Sequence, residues 1–425
     1  MPRNSSKRFP HCTLVILISA LSTPVLAAPP SFQDVRSMGM GGTGVAAARP
    51  SGAVYHNPAL LSLEHGHWQN DFAITLPGAY GRFADSEDVP DEIDDIQETI
   101  RELENSNPGN VRSNAGRLAD QLEGVDGDTL RGDLGLGFNV AKPGQELGLG
   151  FHMSGRLRAT IQGNISEQDI GDLRTIESGI FDLNDLLGGD DLESRGRVQA
   201  TAILEAGVSF STQMDLGQER IAIGITPKYM QLRTFDYIEN VDDFDDDDFN
   251  ASEFETQKNG VNFDIGAAIQ AGDRDQWRYG VSIRNVLPMS LKAARQDFTR
   301  LTGDSLGDDN RPEMKIRPLV TAGVAHSSSF HTLTADLDLT RTRAFGPEAE
   351  TQWLSVGGEI NLIDWINLRA GARQNLASNT GADGIEEKTQ FTAGVAFSPF
   401  ALRIEIAALL SDDEIGAAAE LGLAF

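Results

Sequence analysis

Apolar and polar side chains alternate with period two in segment after segment of this chain. Val198, Ala200, Ala202, Leu204, Ala206, Val208 and Phe210 share one parity. Val261, Phe263, Ile265, Ala267 and Ile269 oppose Asn262, Asp264, Gly266 and Ala268. Leu333, Ala335, Leu337 and Leu339 oppose Thr334, Asp336, Asp338 and Thr340, and Leu402, Ile404, Ile406 and Ala408 oppose Arg403, Glu405 and Ala407. Near the start, Trp68, Phe72, Ile74 and Leu76 oppose Gln69, Asp71, Ala73 and Thr75. At the end, Ile415, Ala417, Ala419, Leu421, Leu423 and Phe425 oppose Gly416, Ala418, Glu420, Gly422 and Ala424. Successive strand side chains point to opposite faces, so each segment presents one apolar wall and one wet wall.

Fourteen such segments start near residues 67, 129, 146, 196, 219, 254, 276, 313, 331, 350, 365, 387, 401 and 415. Every second connection is short (142–146, 215–219, 272–276, 327–331, 363–365 and 398–401), whereas 84–128, 162–195, 239–253 and 288–312 are long. Short turns alternating with long loops mark an outer-membrane barrel, with the short turns on the periplasmic side. The pattern predicts an all-β fold: an antiparallel transmembrane β-barrel of about 14 strands over 67–425, with both termini periplasmic in a Gram-negative outer membrane. Trp68, Trp277 and Trp365 fall at turn-side strand starts, where an interfacial aromatic girdle would lie. The alternating strand that ends on Phe425 is similar to the terminal strand by which such barrels are recognised for insertion. Leu421, Leu423 and Phe425 are therefore the expected insertion signal, read by the barrel-assembly machinery. Helical spacing appears in two long loops, at Ile93, Ile96, Ile100, Leu103, Leu118 and Leu122, and at Ile170, Leu173, Ile180, Leu183 and Leu187. These predict helical insertions over about 88–125 and 166–188. Leu291–Leu301 is a third helical candidate.

The N-terminus changes the picture of where the chain resides. Lys7 and Arg8 precede an apolar run at 13–21, followed by a small-residue site after Ala27, which is the form of a secretory signal peptide over 1–27. The only cysteine, Cys12, would leave with it, so the mature chain has no thiol chemistry. Of 35 basic residues, Arg3, Lys7 and Arg8 also leave, and 32 then face 63 acidic ones. Such a surface repels nucleic acid and suits contact with lipid and lipopolysaccharide through cations.

Between leader and barrel, residues 28–66 carry the most specific motif. It runs Arg36-Ser37-Met38-Gly39-Met40-Gly41-Gly42-Thr43-Gly44-Val45-Ala46, then Tyr55-His56-Asn57-Pro58-Ala59-Leu60-Leu61. Without a preceding strand or a Walker lysine, the glycines do not read as a phosphate loop. The arrangement resembles the N-terminus of the outer-membrane long-chain fatty-acid transporters (FadL-like) and, more closely, of the outer-membrane TraF-type proteins. That resemblance implies a fourteen-stranded barrel whose N-terminal segment forms a hatch across the lumen, with Gly39, Gly41, Gly42, Gly44, Asn57, Pro58 and Ala59 as hatch and gate residues. It implies passive transport of hydrophobic small molecules such as long-chain fatty acids. The alternative is a structural or assembly role in a conjugation or secretion apparatus. Dithiol exchange, the chemistry of the plasmid-encoded namesake, is excluded for a mature chain without cysteine.

Other chemistry is thin. The acidic run at 242–248 lacks the spacing and glycine of a calcium loop. His65 and His67 are the only histidines at short spacing and have no evident third ligand, so no metal and no cofactor is expected. No Gly-x-Ser-x-Gly element appears, and no enzyme is expected. Lumen-facing positions include Asp71, Glu205, Asp264, Asp336, Asp338, Glu359, Arg369, Arg373, Arg403, Glu405 and Glu420. This mixed-sign set suits a filled lumen, where charges short of bulk water need partners.

Overall fold

Fourteen strands pair with their neighbours in sequence and close into a single antiparallel barrel. They are β1 (Ala73–Asp85), β2 (Thr129–Lys142), β3 (Gly148–Asn164), β4 (Arg195–Leu216), β5 (Glu219–Asn240), β6 (Glu255–Ala271) and β7 (Trp277–Arg284). The circle continues with β8 (Leu319–Ser327), β9 (His331–Asp338), β10 (Trp353–Ile363), β11 (Ile366–Asn375), β12 (Thr389–Phe397), β13 (Leu402–Leu410) and β14 (Glu414–Ala424). The computed structural model describes residues 26–27, 34–63, 72–85, 89–104, 110–179, 192–216, 219–240, 253–272, 275–294, 311–343, 345–346, 350–363, 365–377, 385 and 387–425. No described helix is long and apolar enough to cross a membrane; the crossing elements are strands, in a β-barrel membrane fold like that of outer-membrane proteins.

The period-two pattern lands as expected. Leu204, Val208, Phe210, Val261, Ile265, Leu333, Ile404 and Ile406 are exposed on the outer face, whereas Glu205, Asp264, Asp336, Glu359 and Glu405 are buried inside. Strand β1 breaks the alternation in mid-strand. On β14, Ala419 faces Ala79 and Gly422 faces Thr75; on β2, Asn139 faces Thr75 and Gly137 faces Gly78. Both neighbours therefore find one extra residue in β1 around Leu76-Pro77. Proline cannot donate to the ladder, which makes it a natural site for a bulge. The extra residue flips parity, so Thr75 faces inward before it and Arg82 faces inward after it.

Closure rests on the β1–β14 seam. The Phe72 N–H donates to the Phe425 carbonyl at 2.8 Å, the Phe425 N–H returns a bond to Phe72 at 3.0 Å, and the two rings stack with centroids 6.2 Å apart. Trp277 and Trp365 lie at the same end as these residues, the end with the short turns. Trp68 lies outside the described residues, as do Asp71, His65, His67 and the acidic run.

Three expectations are corrected. The segment near 313 is not the start of a barrel strand: Glu313–Ile316 pairs with Met289–Lys292 in a separate ribbon, and β8 begins only after Pro318. The helix expected from Leu291 is a strand at its described start, because alternating Met289 and Leu291 pack onto an apolar patch inside the barrel. The segment near 350 pairs Glu350–Thr351 with Thr342–Arg343, and β10 starts at Trp353. The first strand is described only from Ala73.

Helices α3 (Val89–Glu104), α4 (Val111–Val125) and α5 (Glu167–Ser178) lie in the two long loops and bury a shared stripe of Ile96, Leu103, Leu118, Leu122, Leu173 and Ile176. Ser166 caps α5 by accepting from the Gln168 N–H at 3.2 Å, and Gly179 ends it at φ 80°. Of residues 1–27, only Leu26 and Ala27 are described, and they pair in parallel with Arg341 and Thr342.

The seam carries a prediction for Leu421, Leu423 and Phe425. Phe425→Ala removes a stacking worth about 0.5–1.5 kcal/mol, so it should still refold in detergent but accumulate in cells as less heat-modifiable barrel. Comparing unboiled and boiled samples on gels reads this directly. An unchanged folded fraction in cells would refute the assignment.

Candidate functional site

Inside the barrel lies the N-terminal segment 34–63, folded as α1 (Val35–Gly39), α2 (Pro50–His56) and a 3₁₀ turn (Pro58–Ser62). Local chemistry sets each start. The Asp34 carboxylate accepts from the Ser37 N–H at 2.8 Å, Pro50 occupies the first turn of α2, and Asn57 Oδ1 accepts from the Ala59 N–H at 3.1 Å. His56 Nε2 closes the segment on itself at 2.6 Å from Asp34 Oδ2. Burial alone would raise the Asp34 carboxyl, but the bond and charge of His56 and the Ser37 N–H outweigh it and hold it below its ordinary value. Burial raises the Tyr55 phenol, which stays protonated and donates to the Phe138 carbonyl at 3.0 Å.

The segment touches the wall through backbone, and the wall answers with glycine. Gly41 stands at φ 70°, and a Cβ there would sit 2.7 Å from the carbonyl oxygens of Val356 and Ala372. Its N–H donates to Thr392 Oγ1 at 2.9 Å. Opposite it, Gly357 and Gly371 are cross-strand partners on β10 and β11, and a side chain on either would strike Met40 or Gly41. A second notch seats Asn57-Pro58-Ala59. Gly224 and Gly266 are partners on β5 and β6, and a Cβ on Gly224 would fall 2.5 Å from the Ala59 nitrogen. Asn57 Nδ2 bridges the Val45 carbonyl at 2.9 Å and the Ala267 carbonyl at 3.2 Å. Asp336 Oδ2 gathers the N–H groups of Gly44 at 2.7 Å and Val45 at 2.9 Å.

Charge pins the same segment. Glu359 on β10 receives Arg36 at 3.1 and 3.2 Å and Arg49 at 3.0 Å, both from the segment, and Arg369 from the wall at 2.7 Å. Arg369 continues to Glu405 at 2.8 and 3.1 Å, which also pairs with Arg403. Nearer the loops, Asp133, Glu387 and Glu414 interlock with Arg82, Arg131 and Arg158. On the opposite wall Lys228 bridges Glu205 at 3.5 Å and Asp264 at 2.9 Å. Two cavities beside the segment measure about 50 Å³ and about 20 Å³, room for a few waters at most. The smaller one lies beside the β1 bulge and is lined by Asp34 and Tyr55 of the segment and by Gly78, Ala79, Leu136 and Glu420 of the wall.

Toward the loops the lumen turns apolar. Ile203, Met230 and Leu232 face inward from β4 and β5, and the ribbon 289–292/313–316 covers them with Met289, Leu291, Met314 and Ile316, joined by Phe345. Thr256 and Lys258 of β6 tie the ribbon down by donating to the Lys292 carbonyl at 2.7 Å and the Ser290 carbonyl at 2.9 Å.

The residues singled out from sequence thus converge on one region: Gly39, Gly41, Gly42, Gly44, Asn57, Pro58 and Ala59 all lie in the lumen, in two groups seated against opposite walls. The sequence reading missed Arg36, Arg49, the apolar patch and the glycine belt. The last had a signal, since glycine recurring at lumen-facing positions inside strands marks close approach by another backbone. The patch also had one, since Ile203, Met230 and Leu232 are apolar on the face expected to be wet.

A family model described as "F plasmid transfer operon, TraF, protein" matches residues 54–338. The toluene transporter TbuX of Ralstonia pickettii aligns with a TM-score of 0.54 and 12% identity over 93% of this chain and 98% of its own. A deletion mutant of the monoaromatic hydrocarbon channel TodX aligns at 0.51 and 12% identity over 94% and 99%; TodX is a Pseudomonas putida protein. At such identity the likeness is one of fold, the FadL-like barrel. No curated protein sequence matches.

Two variants test the seating. Glu359→Ala leaves three arginines short of their shared carboxylate, a loss of about 3–5 kcal/mol for a buried pair, and should expose the N-terminal segment to protease while the barrel stays heat-modifiable. Gly371→Val should do the same by steric means. Equal protection in wild type and both variants would show that neither the charge clamp nor the glycine notch holds the segment.

Proposed function

This chain belongs to the TraF family of the F plasmid transfer operon description, and for a member with a FadL-like barrel we propose gated, passive entry of small hydrophobic molecules across the outer membrane. The observation that carries this reading is the apolar patch of Ile203, Met230 and Leu232 on a lumen wall that also carries many buried charged groups. A porin lumen filled with water has no use for such a surface, whereas a hydrocarbon or an acyl chain does. The ribbon side chains that cover it are Leu291, Ile316 and two methionines of adaptable shape, joined by Phe345, and a ligand of similar polarity can replace them. Toluene is what the similar TbuX structure is described as transporting, and aromatic hydrocarbons and long-chain fatty acids are both of the right class.

The path would be closed at rest in two places. The ribbon covers the apolar patch from the loop end. The segment 34–63 blocks the lumen below it, and we assign Gly39, Gly41, Gly42, Gly44, Asn57, Pro58 and Ala59 to that hatch. The narrow gap at the β1 bulge offers an exit through the wall toward lipid. A second reading, a permanently closed barrel serving as an anchor in an assembly, is favoured by the interlocked charges around Asp133 and Glu359.

Uptake separates them. Cells lacking their own transporters would carry this protein, empty vector, Asn57→Ala/Pro58→Ala, or Leu232→Asn, at matched surface levels, and would be given labelled toluene and labelled oleate. Entry above vector, altered by the hatch variant and reduced severalfold by Leu232→Asn, supports transport. Vector-level entry of both compounds with a correctly inserted barrel sinks transport and leaves the anchor.

A further inference from the structure

The hairpin joining β8 to β9 brings two histidines together on the outer face at the turn end. His326 Nδ1 lies 3.2 Å from His331 Nε2, and the rings overlap with centroids 5.3 Å apart and planes 23° from parallel. Five residues separate them in sequence, so the turn rather than short spacing creates the pair. Both side chains are half-buried and open to the aqueous rim of the barrel.

The turn holds one of the two rings. Ser328 Oγ accepts from the N–H groups of Phe330 at 3.2 Å and His331 at 3.1 Å, which occupies both lone pairs, and its hydrogen is left for His331 Nδ1 at 3.0 Å. The ring proton of His331 then sits on Nε2 and is shared with His326 Nδ1. His326 thus already turns a bare Nδ1 lone pair toward the gap, and a metal ion between the rings would take the place of the shared proton. Two bonds of about 2.0–2.1 Å meeting near the tetrahedral angle hold their nitrogens roughly 3.2–3.4 Å apart, which matches the separation seen here.

We propose that His326 and His331 form a two-imidazole site for a divalent transition-metal ion such as Zn²⁺ or Ni²⁺. Among the described residues no third His, Cys, Asp or Glu converges with them, so water completes the shell and binding is reversible. Occupied, the site would staple β8 to β9 at the rim. Trp277 supplies a reporter, since its ring meets His326 edge-on at 4.8 Å between centroids.

The test uses the untagged full chain in detergent, with His65→Gln and His67→Gln as background to remove the other close histidine pair. Zn²⁺ binding is followed by calorimetry, and Ni²⁺ binding by quenching of tryptophan emission. The expected result is one saturable site, at least tenfold weaker in either His326→Gln or His331→Gln, with a quenching component that disappears in Trp277→Phe while calorimetric binding persists. All three variants sit on the outer rim, and heat-modifiability checks that each barrel has folded. The absence of a saturable site, or a site unchanged in both histidine variants, overturns the proposal.

Discussion

Close approach of one backbone to another is the constraint on which the rest of this structure depends. A fourteen-stranded barrel encloses more space than its own side chains fill, and this one is filled by a thirty-residue segment that lies directly against the wall. Contact at that range is open only to glycine, and the wall supplies it in cross-strand pairs: Gly357 with Gly371, and Gly224 with Gly266. The segment supplies Gly41 at a positive φ, where its backbone reaches two wall carbonyls. Sterics thus fix where the segment sits before any charge is considered.

Charge then fixes how firmly it sits. Glu359 joins two arginines of the segment to one of the wall; Glu359, Arg36 and Arg369 are cut off from bulk water, and Arg49 is partly exposed. Such an arrangement adds little net stability over an apolar packing of the same shape, yet breaking one member is costly. That asymmetry suits a part held in one register. Apolar seating by Val35 and Met38 against Leu409 and by Leu60 and Leu61 supports the same position from both sides of the lumen.

The lumen is therefore layered along its axis: the seated segment toward the turns, interlocked charges about it, and an apolar patch under a folded-in ribbon toward the loops. Water can wet the small polar cavities, whereas the patch is covered by methionines and aliphatic side chains. Beside the β1 bulge, a small cavity is lined both by the seated segment and by Leu136 of the outer face. Strand geometry and lumen chemistry meet there, because the extra residue at Leu76-Pro77 that flips the strand's parity also loosens the ladder beside Asn139.

Sequence by itself determined the barrel. Period-two alternation is a local property, forced wherever one face meets lipid and the other a wet interior, so Val198–Phe210 or Leu402–Ala408 declared their faces without a neighbour in view. Strand number and the order of short and long connections followed from it, and the glycine-rich motif marked out the stretch that lies in the lumen. What only the tertiary structure decided depends on which strands become neighbours. Pairing of Gly357 with Gly371, the meeting of Arg36 and Arg49 at Glu359 more than three hundred residues away, and the convergence of His326 and His331 are products of closure and register. The ribbon at 289–292 and 313–316 shows the same limit: its residues alternate as barrel strands do, and only the apolar patch inside the barrel drew them inward.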